Sequence, residues 1–343
     1  MKIAFIIYSL NKGGAERVVS LLSSELSKQH EIKIILFSKI VSYKYGGDII
    51  DLNLPSKSNK IGKVFNVLKR TYRLKEIFKE EKFDKIFAFM ETAYLPSILT
   101  GYPIVSSVRN NPKVYNDFII NTILSKSEKI VAVSKTIENI LNRQYNISNT
   151  TTILNPIIID NNYKIKEDLQ QYQPYILSVG RLNKQKNFTM LINSFAKSNV
   201  KEEANLLIVG EGNQRDELQN IIDKLALKDK VVLLGQKDNI NDYYLQCDIY
   251  ILSSSFEGFP NVLVEAFSNK CACIATNCPT GPSEIIQDVN NGILVDNENQ
   301  EEMTKAIDKL YFSEELKVQF KKNTQKSIEH LSVEKIAKEW LRL

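Results

Sequence analysis

The sequence predicts an α/β protein built from two parallel sheets, each covered by helices. Two observations carry that expectation: short apolar runs of strand character alternate with amphipathic, helix-periodic segments through both halves, and 343 residues exceed a typical single α/β domain. A third is the segment 155–174, which is rich in Asn, Gln, Tyr and charge, has a proline near or at each end, and reads as the break between the halves. The expected organisation is a first domain over 1–160, a linker over 161–174, a second domain over 175–330 and a last helix over 333–343.

Residues 3–8 form the first apolar strand. It runs into Leu10-Asn11-Lys12-Gly13-Gly14-Ala15-Glu16-Arg17 and a helix carrying Val18, Val19, Leu22 and Leu26 on one face. Strand, Gly-Gly, helix is the layout of a phosphate-type loop, because glycine permits close backbone approach and unusual torsions while a helix start favours negative charge. A tight packing turn is the plainer reading of Gly13 and Gly14. A nicotinamide-binding enzyme is excluded on spacing, since Gly-x-Gly-x-x-Gly is absent and no convincing acidic partner follows the second strand. Further strands are expected at 32–37, 85–89, 104–107 and 130–133. Between them, Lys57, Lys60, Lys63, Lys69, Arg70, Arg73, Lys75, Lys79 and Lys82 interleave with Ile61, Val64, Phe65, Leu68, Tyr72 and Phe78. Read as a helix, 57–82 has an apolar face and basic flanks; such a helix either covers a sheet or lies on an anionic bilayer surface.

In the second half, Tyr175 to Val179 read as a buried strand leading straight into Gly180-Arg181-Leu182-Asn183-Lys184-Gln185-Lys186-Asn187. Asn187 is placed to cap a helix whose Leu191, Ile192, Phe195 and Ala196 are apolar at three-to-four spacing. Arg181 and Lys186 then project from the carboxyl end of a strand, where open α/β sheets bind ligands. Strands follow at 206–209, 231–234, 248–252 and 271–275. Ser253 to Ser255 open a polar loop that continues as Phe256-Glu257-Gly258-Phe259-Pro260-Asn261-Val262-Leu263-Val264-Glu265. Val262, Leu263, Ala266 and Phe267 recur at helical spacing, so Glu257 lies in the loop and Glu265 in the first turns of a helix whose free N–H groups would point at an anion. Two carboxylates thus stand at one ligand beside two cations, provided both strands share a sheet. Taken singly, each has an ordinary reading as a surface loop charge or an exposed helix acid.

Composition narrows the chemistry. Cys247, Cys271, Cys273 and Cys278 fall on or beside predicted core strands without paired Cys-x2-Cys spacing, which suits reduced packing thiols. With only His30 and His330 in the chain, a His-based metal site or a Ser-His-Asp triad has almost no material. No apolar run of about 18 residues spans a membrane, and the amino terminus lacks the layout of a cleaved signal, so a cytoplasmic location is expected. Residues 1–163 carry 23 Lys and Arg against 14 Asp and Glu, while the remainder carry 22 against 26. No recognition helix, stacking sheet or Arg-rich arm accompanies that basic first half, so nucleic acid is not the expected partner.

The string from Glu257 to Glu265 resembles the Glu-x7-Glu motif of retaining, family 4-type glycosyltransferases with the GT-B fold, and 180–187 is similar to their Gly-Arg-Leu-x-x-x-Lys-Asn pattern. The resemblance covers nearly the whole chain and is strongest over 175–295. It is closest to bacterial enzymes extending polyprenyl-diphosphate-linked glycans, through the Tyr8-Ser9-Leu10-x-x-Gly13-Gly14-Ala15-Glu16 start and the 277–284 loop. It implies two Rossmann-like domains facing across a cleft, with the last helix, 331–343, packing back on the first. It also implies a nucleotide-sugar donor, most simply UDP-linked, a lipid-linked glycan acceptor, and neither metal nor cofactor, with the enzyme peripheral on the inner face of the cytoplasmic membrane.

By the same resemblance, Glu257 would reach donor-sugar hydroxyls and Glu265 the ribose, while the backbone of Asn261, Val262 and Leu263 would hold diphosphate oxygens. Arg181 and Lys186 would stabilise charge on the leaving phosphate, and Gly13 and Gly14 would face the donor diphosphate or the acceptor. The chain departs from the pattern twice. Pro282 follows Gly281 where many members have Gly-Gly, stiffening a donor-facing loop. Where several carry a histidine, Ser106-Ser107-Val108-Arg109-Asn110-Asn111-Pro112 leaves its work to Arg109, Asn110 or backbone groups. Two other classes fit parts of this pattern: a sugar-nucleotide epimerase of similar architecture and a non-enzymatic nucleotide-sugar or membrane-binding module.

Overall fold

The computed structural model describes residues 1–112 and 115–343, and for Lys60 the backbone alone. The chain divides into two units, Met1–Pro156 with Leu331–Leu343, and Ile157–His330. In the first, the order is β1 (Lys2–Ile7), α1 (Gly14–Leu26), β2 (Glu31–Leu36), β3 (Asp48–Asp51), α2 (Lys60–Glu81), β4 (Lys85–Phe89), α3 (Glu91–Ile98), β5 (Val105–Val108), α4 (Asp117–Thr122), β6 (Lys129–Ala132), α5 (Lys135–Gln144) and β7 (Thr150–Thr152). The strands form one parallel sheet in the order β3-β2-β1-β4-β5-β6-β7. Its central strands are continuous runs of buried residues, such as Ile3 to Ile7 and Ile86 to Phe89, as a sheet covered on both faces requires.

The second unit repeats the plan: β8 (Tyr175–Val179), α6 (Phe188–Lys197), α7 (Val200–Glu203), β9 (Asn205–Val209), α8 (Arg215–Lys224), β10 (Val231–Gly235), α9 (Ile240–Gln246), β11 (Ile249–Leu252), α10 (Asn261–Ser268), β12 (Ala272–Asn277), α11 (Pro282–Ile285), β13 (Ile293–Asp296), α12 (Gln300–Tyr311) and α13 (Glu314–Ser327). The parallel order is β10-β9-β8-β11-β12-β13. Sequence order therefore reverses between β1 and β4 in one sheet and between β8 and β11 in the other. These are the points where a doubly wound sheet opens a ligand-sized crevice at its strand ends.

Three strands escape the sequence reading: β3, β7 and β13. All are outermost in their sheets. Asp48-Ile49-Ile50-Asp51 and Thr150-Thr151-Thr152 are short and partly exposed, so neither shows the apolar run that marks a buried strand. The stretch 161–174, expected as a linker, is tied to the second unit. The Lys166 and Glu167 amides donate to the Asp242 carboxylate at 3.1 and 3.2 Å, Leu169 is fully buried, and Gln173 donates to the Gln246 carbonyl at 2.6 Å.

The last helix, α14 (Val333–Leu341), belongs to the first unit. Trp340 is fully buried there, stacked on Phe89 and edge-on to Phe87, each with ring centroids 5.1 Å apart. The four thiols are free and buried, and burial raises those of Cys271 and Cys273 well above their ordinary range, consistent with packing thiols.

Helix α2 has two opposed faces. Leu74, Ile77 and Phe78 are buried. Toward the helix start, the buried positions are polar. Asn66 donates to the Pro55 carbonyl at 2.7 Å, and the Arg70 guanidinium donates to the Leu54 carbonyl at 2.7 Å while lying 4.2 Å from the Phe37 ring centroid. Ile61, Val64, Phe65, Leu68 and Tyr72, spaced i, i+3, i+4, i+7, i+11, are 59–85% exposed. The apolar face anticipated for sheet covering thus points to solvent over the first three turns. Arg70 is corrected from a surface charge to a buried one, and the Lys60 side chain lies outside the described residues. Among the described residues, no helix is long and apolar enough to cross a membrane.

Candidate active site

Because β8 and β11 are neighbours, paired Ile176 with Ile249 and Leu177 with Tyr250, the loops that follow them leave the same sheet edge side by side. They are bonded to each other: the Ser255 amide donates to the Gln185 carbonyl at 2.8 Å and the Ser253 hydroxyl to the Lys186 carbonyl at 2.8 Å. Two asparagines shape the first loop. Asn183 accepts from the Lys186 amide at 3.3 Å, and Asn187, at φ 48°, caps α6 by accepting from the Met190 amide at 3.3 Å. Asn is among the few residues that enter the left-handed region without large cost. The hook so formed lays the Lys186 stem over Gly180, where an added Cβ would come within 3.0 Å of Lys186 Cε.

The Lys186 ammonium ends 2.6 Å from Glu257 Oε1. Lys186 and Glu257 side chains are 15% and 7% exposed, so the pair is largely removed from water. A desolvated ion pair holds only when its remaining hydrogen-bonding capacity is met. Here Ser254 donates to Glu257 Oε1 at 2.7 Å and Gln185 to Oε2 at 3.4 Å. The Thr280 hydroxyl donates to the Glu257 carbonyl, and Thr276 to the Ser254 carbonyl at 2.6 Å. Gly281, at φ 95°, completes this clamp: a Cβ there would sit 2.6 Å from Pro260 Cδ, so only glycine lets the 277–284 loop lie against the acidic one. Pro282 takes the first position of α11, where a missing N–H costs nothing. Arg181 is exposed, and its guanidinium has no partner among the described residues.

Glu265 is 8% exposed on α10 and accepts from the Tyr244 hydroxyl at 3.3 Å, which also reaches the Val262 carbonyl at 3.2 Å. The helix start differs from expectation in one respect. The Leu263 amide closes on the Pro260 carbonyl at 3.0 Å, so of the Asn261, Val262 and Leu263 backbone it is already engaged. Ser254, Gln185, Thr280 and Tyr244 were not anticipated from sequence. Ser254 stood in a recognised strand-end loop, but Tyr244 lies 21 residues before the acid it holds, a pairing only the fold reveals.

In the first unit, Gly13 caps α1 in an extended conformation, φ −165°, so no unusual torsion is needed there. What Gly13 permits is close approach, since an added Cβ would strike the Glu16 carboxylate. An anion already lies over the start of this helix, beginning at Gly14, which weakens the phosphate-loop reading of these glycines. Arg109 is buried at the end of β5. It donates to Asn155 Oδ1 and to Ser107 Oγ at 3.3 Å, its guanidinium is 5.8 Å from the Phe89 ring centroid, and burial lowers its pKa to about 9, opposed by the Glu16 charge. Asn110 beside it is exposed.

Residues 12–161 match Glycosyltransferase Family 4 and residues 160–327 match Glycosyl transferases group 1. From Campylobacter jejuni, N-acetylgalactosamine-N,N'-diacetylbacillosaminyl-diphospho-undecaprenol 4-alpha-N-acetylgalactosaminyltransferase is 30% identical, over 99% of this chain and 98% of its own length. A second C. jejuni enzyme, an α-1,4-N-acetyl-D-galactosaminyltransferase acting on a GalNAc-containing diNAcBac-PP-undecaprenol, is 27% identical over 100% and 98%. Among solved structures, Anabaena HepE in complex with UDP and glucose superposes with a TM-score of 0.81 at 19% identity, covering 100% of this chain and 98% of its own. The glycosyltransferase of Rickettsia africae gives 0.80 at 21%, covering 99% and 97%. With both halves matched in order and a relative aligned from end to end, the chain belongs to the family 4 glycosyltransferases, an enzyme of two Rossmann-like units with the GT-B fold.

Proposed function

We propose that this glycosyltransferase moves a hexose or N-acetylhexosamine from a UDP-linked donor to a lipid-linked glycan, retaining anomeric configuration and using no metal, in the building of a surface polysaccharide or glycoprotein glycan. The observation that carries the reading is the Lys186–Glu257 pair at the β8/β11 switch point, with Glu265 on the adjoining helix. The relatives that act on undecaprenol-diphosphate-linked sugars support the acceptor class, and the structures holding UDP support the donor. They give no support to an epimerase or a non-enzymatic module.

On this reading the second unit takes the donor and the first takes the acceptor. Glu257 accepts from sugar hydroxyls and Glu265 from the ribose. Lys186 and Arg181 meet the charge that grows on the leaving diphosphate, a preorganised contribution of roughly 3 kcal/mol for a well-placed donor. The enzyme works peripherally on the inner face of the cytoplasmic membrane, through the 57–82 region. Support for that docking comes from the solvent-facing row Ile61, Val64, Phe65, Leu68 and Tyr72, flanked by exposed Lys57, Lys63, Lys69, Arg73 and Lys75. An apolar stripe with cationic borders suits the boundary between acyl chains and anionic headgroups. An assay of acceptor-dependent nucleotide release across a panel of donors tests the reading. Release of UDP only when a polyprenyl-diphosphate-linked sugar is added is the expected result, and release indifferent to acceptor would overturn it.

A further inference from the structure

The two oxygens of the Glu257 carboxylate lie in different surroundings. Oε1 takes the Lys186 ammonium at 2.6 Å and the Ser254 hydroxyl at 2.7 Å, and Ser254 is fully buried. A carboxylate offers about four lone-pair sites, two on each oxygen, so Oε1 is filled from the side of the fold. Oε2 receives only the Gln185 side-chain amide, at 3.4 Å, beyond the ordinary range for an N–H donor. Among the described residues no other hydrogen bond or ion pair reaches it. Gln185 is itself only half-buried, so the under-bonded oxygen lies on the side from which a ligand can come.

Gln185 is held there at both ends. Its backbone carbonyl accepts from the Ser255 amide at 2.8 Å, and its side-chain amide donates to the Phe256 carbonyl at 2.9 Å. One N–H of that amide is therefore engaged with the acidic loop, and the second is directed at Oε2 without closing on it. A carboxylate oxygen short of donors beside an N–H short of an acceptor matches a group that both donates and accepts. A hydroxyl does so; the N–H of an acetamido group donates only, and an ionised phosphate oxygen accepts only. An oxygen about 2.8 Å from Oε2 and about 2.9 Å from Nε2 closes a triangle on the 3.4 Å base, so one hydroxyl can serve both.

We infer that Gln185 is a specificity-determining residue for the donor: together with Glu257 Oε2 it grips one hydroxyl of the transferred sugar, Oε2 accepting and the Gln185 amide donating. The inference rests on the reading of Glu257 as the acid that faces the donor sugar, and adds to it a second partner and the oxygen that does the facing. Lys186 and Ser254, by filling Oε1, keep the carboxylate from turning. A site that pairs both sides of a hydroxyl discriminates against a sugar lacking it, because its own donor and acceptor are then left unmatched.

The test uses the full chain and calorimetric titration, without acceptor, of UDP, of the UDP-hexose or UDP-N-acetylhexosamine that the parent binds best, and of the monodeoxy analogues of that sugar nucleotide. The parent is compared with Gln185→Met, which keeps the length of the side chain and removes its donor, and with Gln185→Glu, which sets a second negative charge beside Oε2. Affinity for the intact sugar nucleotide should fall about 3- to 10-fold in Gln185→Met and at least as far in Gln185→Glu. UDP affinity should hold in Gln185→Met, with a thermal midpoint close to the parent's. One deoxy analogue should bind the parent more weakly than the full sugar does, and that penalty should shrink in Gln185→Met. Parent-like affinity for the sugar nucleotide in Gln185→Met overturns the inference, as does a parent indifferent to every deoxy analogue or a penalty left undiminished by the substitution. An equal fall for UDP and for the sugar nucleotide, with a lowered thermal midpoint, makes Gln185 a tie between two loops and also overturns it. A parent that binds UDP but releases none from any sugar nucleotide with any glycan acceptor overturns the transferase reading beneath it.

Discussion

On the proposed reading Lys186 serves the fold and the chemistry together, which separates it from Arg181 on the same loop. Removing one member of a buried ion pair strands the other, so Lys186→Ala should lower unfolding free energy by roughly 3–5 kcal/mol. Arg181→Ala, at an exposed position, should stay within about 0.5 kcal/mol of the parent. Both should depress kcat more than donor affinity, because the charge they meet grows toward the transition state. Denaturant titration beside steady-state kinetics checks this; unchanged turnover in both variants would remove the cations from the mechanism. The two acids should also differ in kind. Glu265→Gln should weaken UDP binding measured by calorimetry, and Glu257→Gln should alter discrimination among donor sugars with UDP affinity nearly intact; equal losses of UDP affinity would defeat the assignment. Glu257, Lys186 and Glu265 were legible because each sits in a string whose neighbours dictate a strand end or a helix start. Ser254, Gln185 and Tyr244 were not, because they act only through contacts that the folded sheet creates.

Among the elements, legibility followed burial. Central strands such as β1, β4, β8 and β11 are continuous apolar runs and were placed within a residue or two, whereas edge strands β3, β7 and β13 pair on one side only and need no such run. Helix α2 was legible as amphipathic, but not which face would be buried: periodicity gives a stripe and no direction. The sheet takes the side of Asn66, Arg70 and Leu74 because the Leu54 and Pro55 carbonyls are there to accept. A consequence for experiment is that Arg70 should be left alone. Phe65→Ser with Leu68→Ser should reduce liposome binding even at high salt, since it removes buried apolar area. Neutralising Lys63, Lys69 and Arg73 should reduce it on anionic vesicles at low salt only, through screening. Activity on a short, water-borne acceptor should survive both changes. Liposome flotation with parent-like binding in both variants would make α2 a helix of the scaffold alone.

At the level of the whole molecule, the first unit is built from both ends of the chain, so its core is complete only when the last residues are in place. The family resemblance suggested that closure, whereas local periodicity alone could not: the strong apolar face of 333–341 requires a partner without naming it. Trp340 gives the means of testing it, being the single tryptophan of the chain and fully buried against Phe87 and Phe89. Its fluorescence therefore reports the first unit, while UDP binding on the proposed donor assignment reports the second. Phe87, fully buried and also in contact with Phe5, is removed from the Arg109 side chain that lies over Phe89. Phe87→Ala should shift the fluorescence-monitored unfolding transition downward by about 3–5 kcal/mol, the cost of emptying a large aromatic site in a close-packed core. Calorimetric UDP affinity should hold at the parent value under native conditions, because the proposed donor residues Lys186, Glu257 and Glu265 belong to the second unit. An unmoved fluorescence transition would mean that α14 does not complete the first core in solution. A loss of UDP affinity in step with the shift would show instead that donor binding draws on the first unit, and the division of labour between the two units would have to be redrawn.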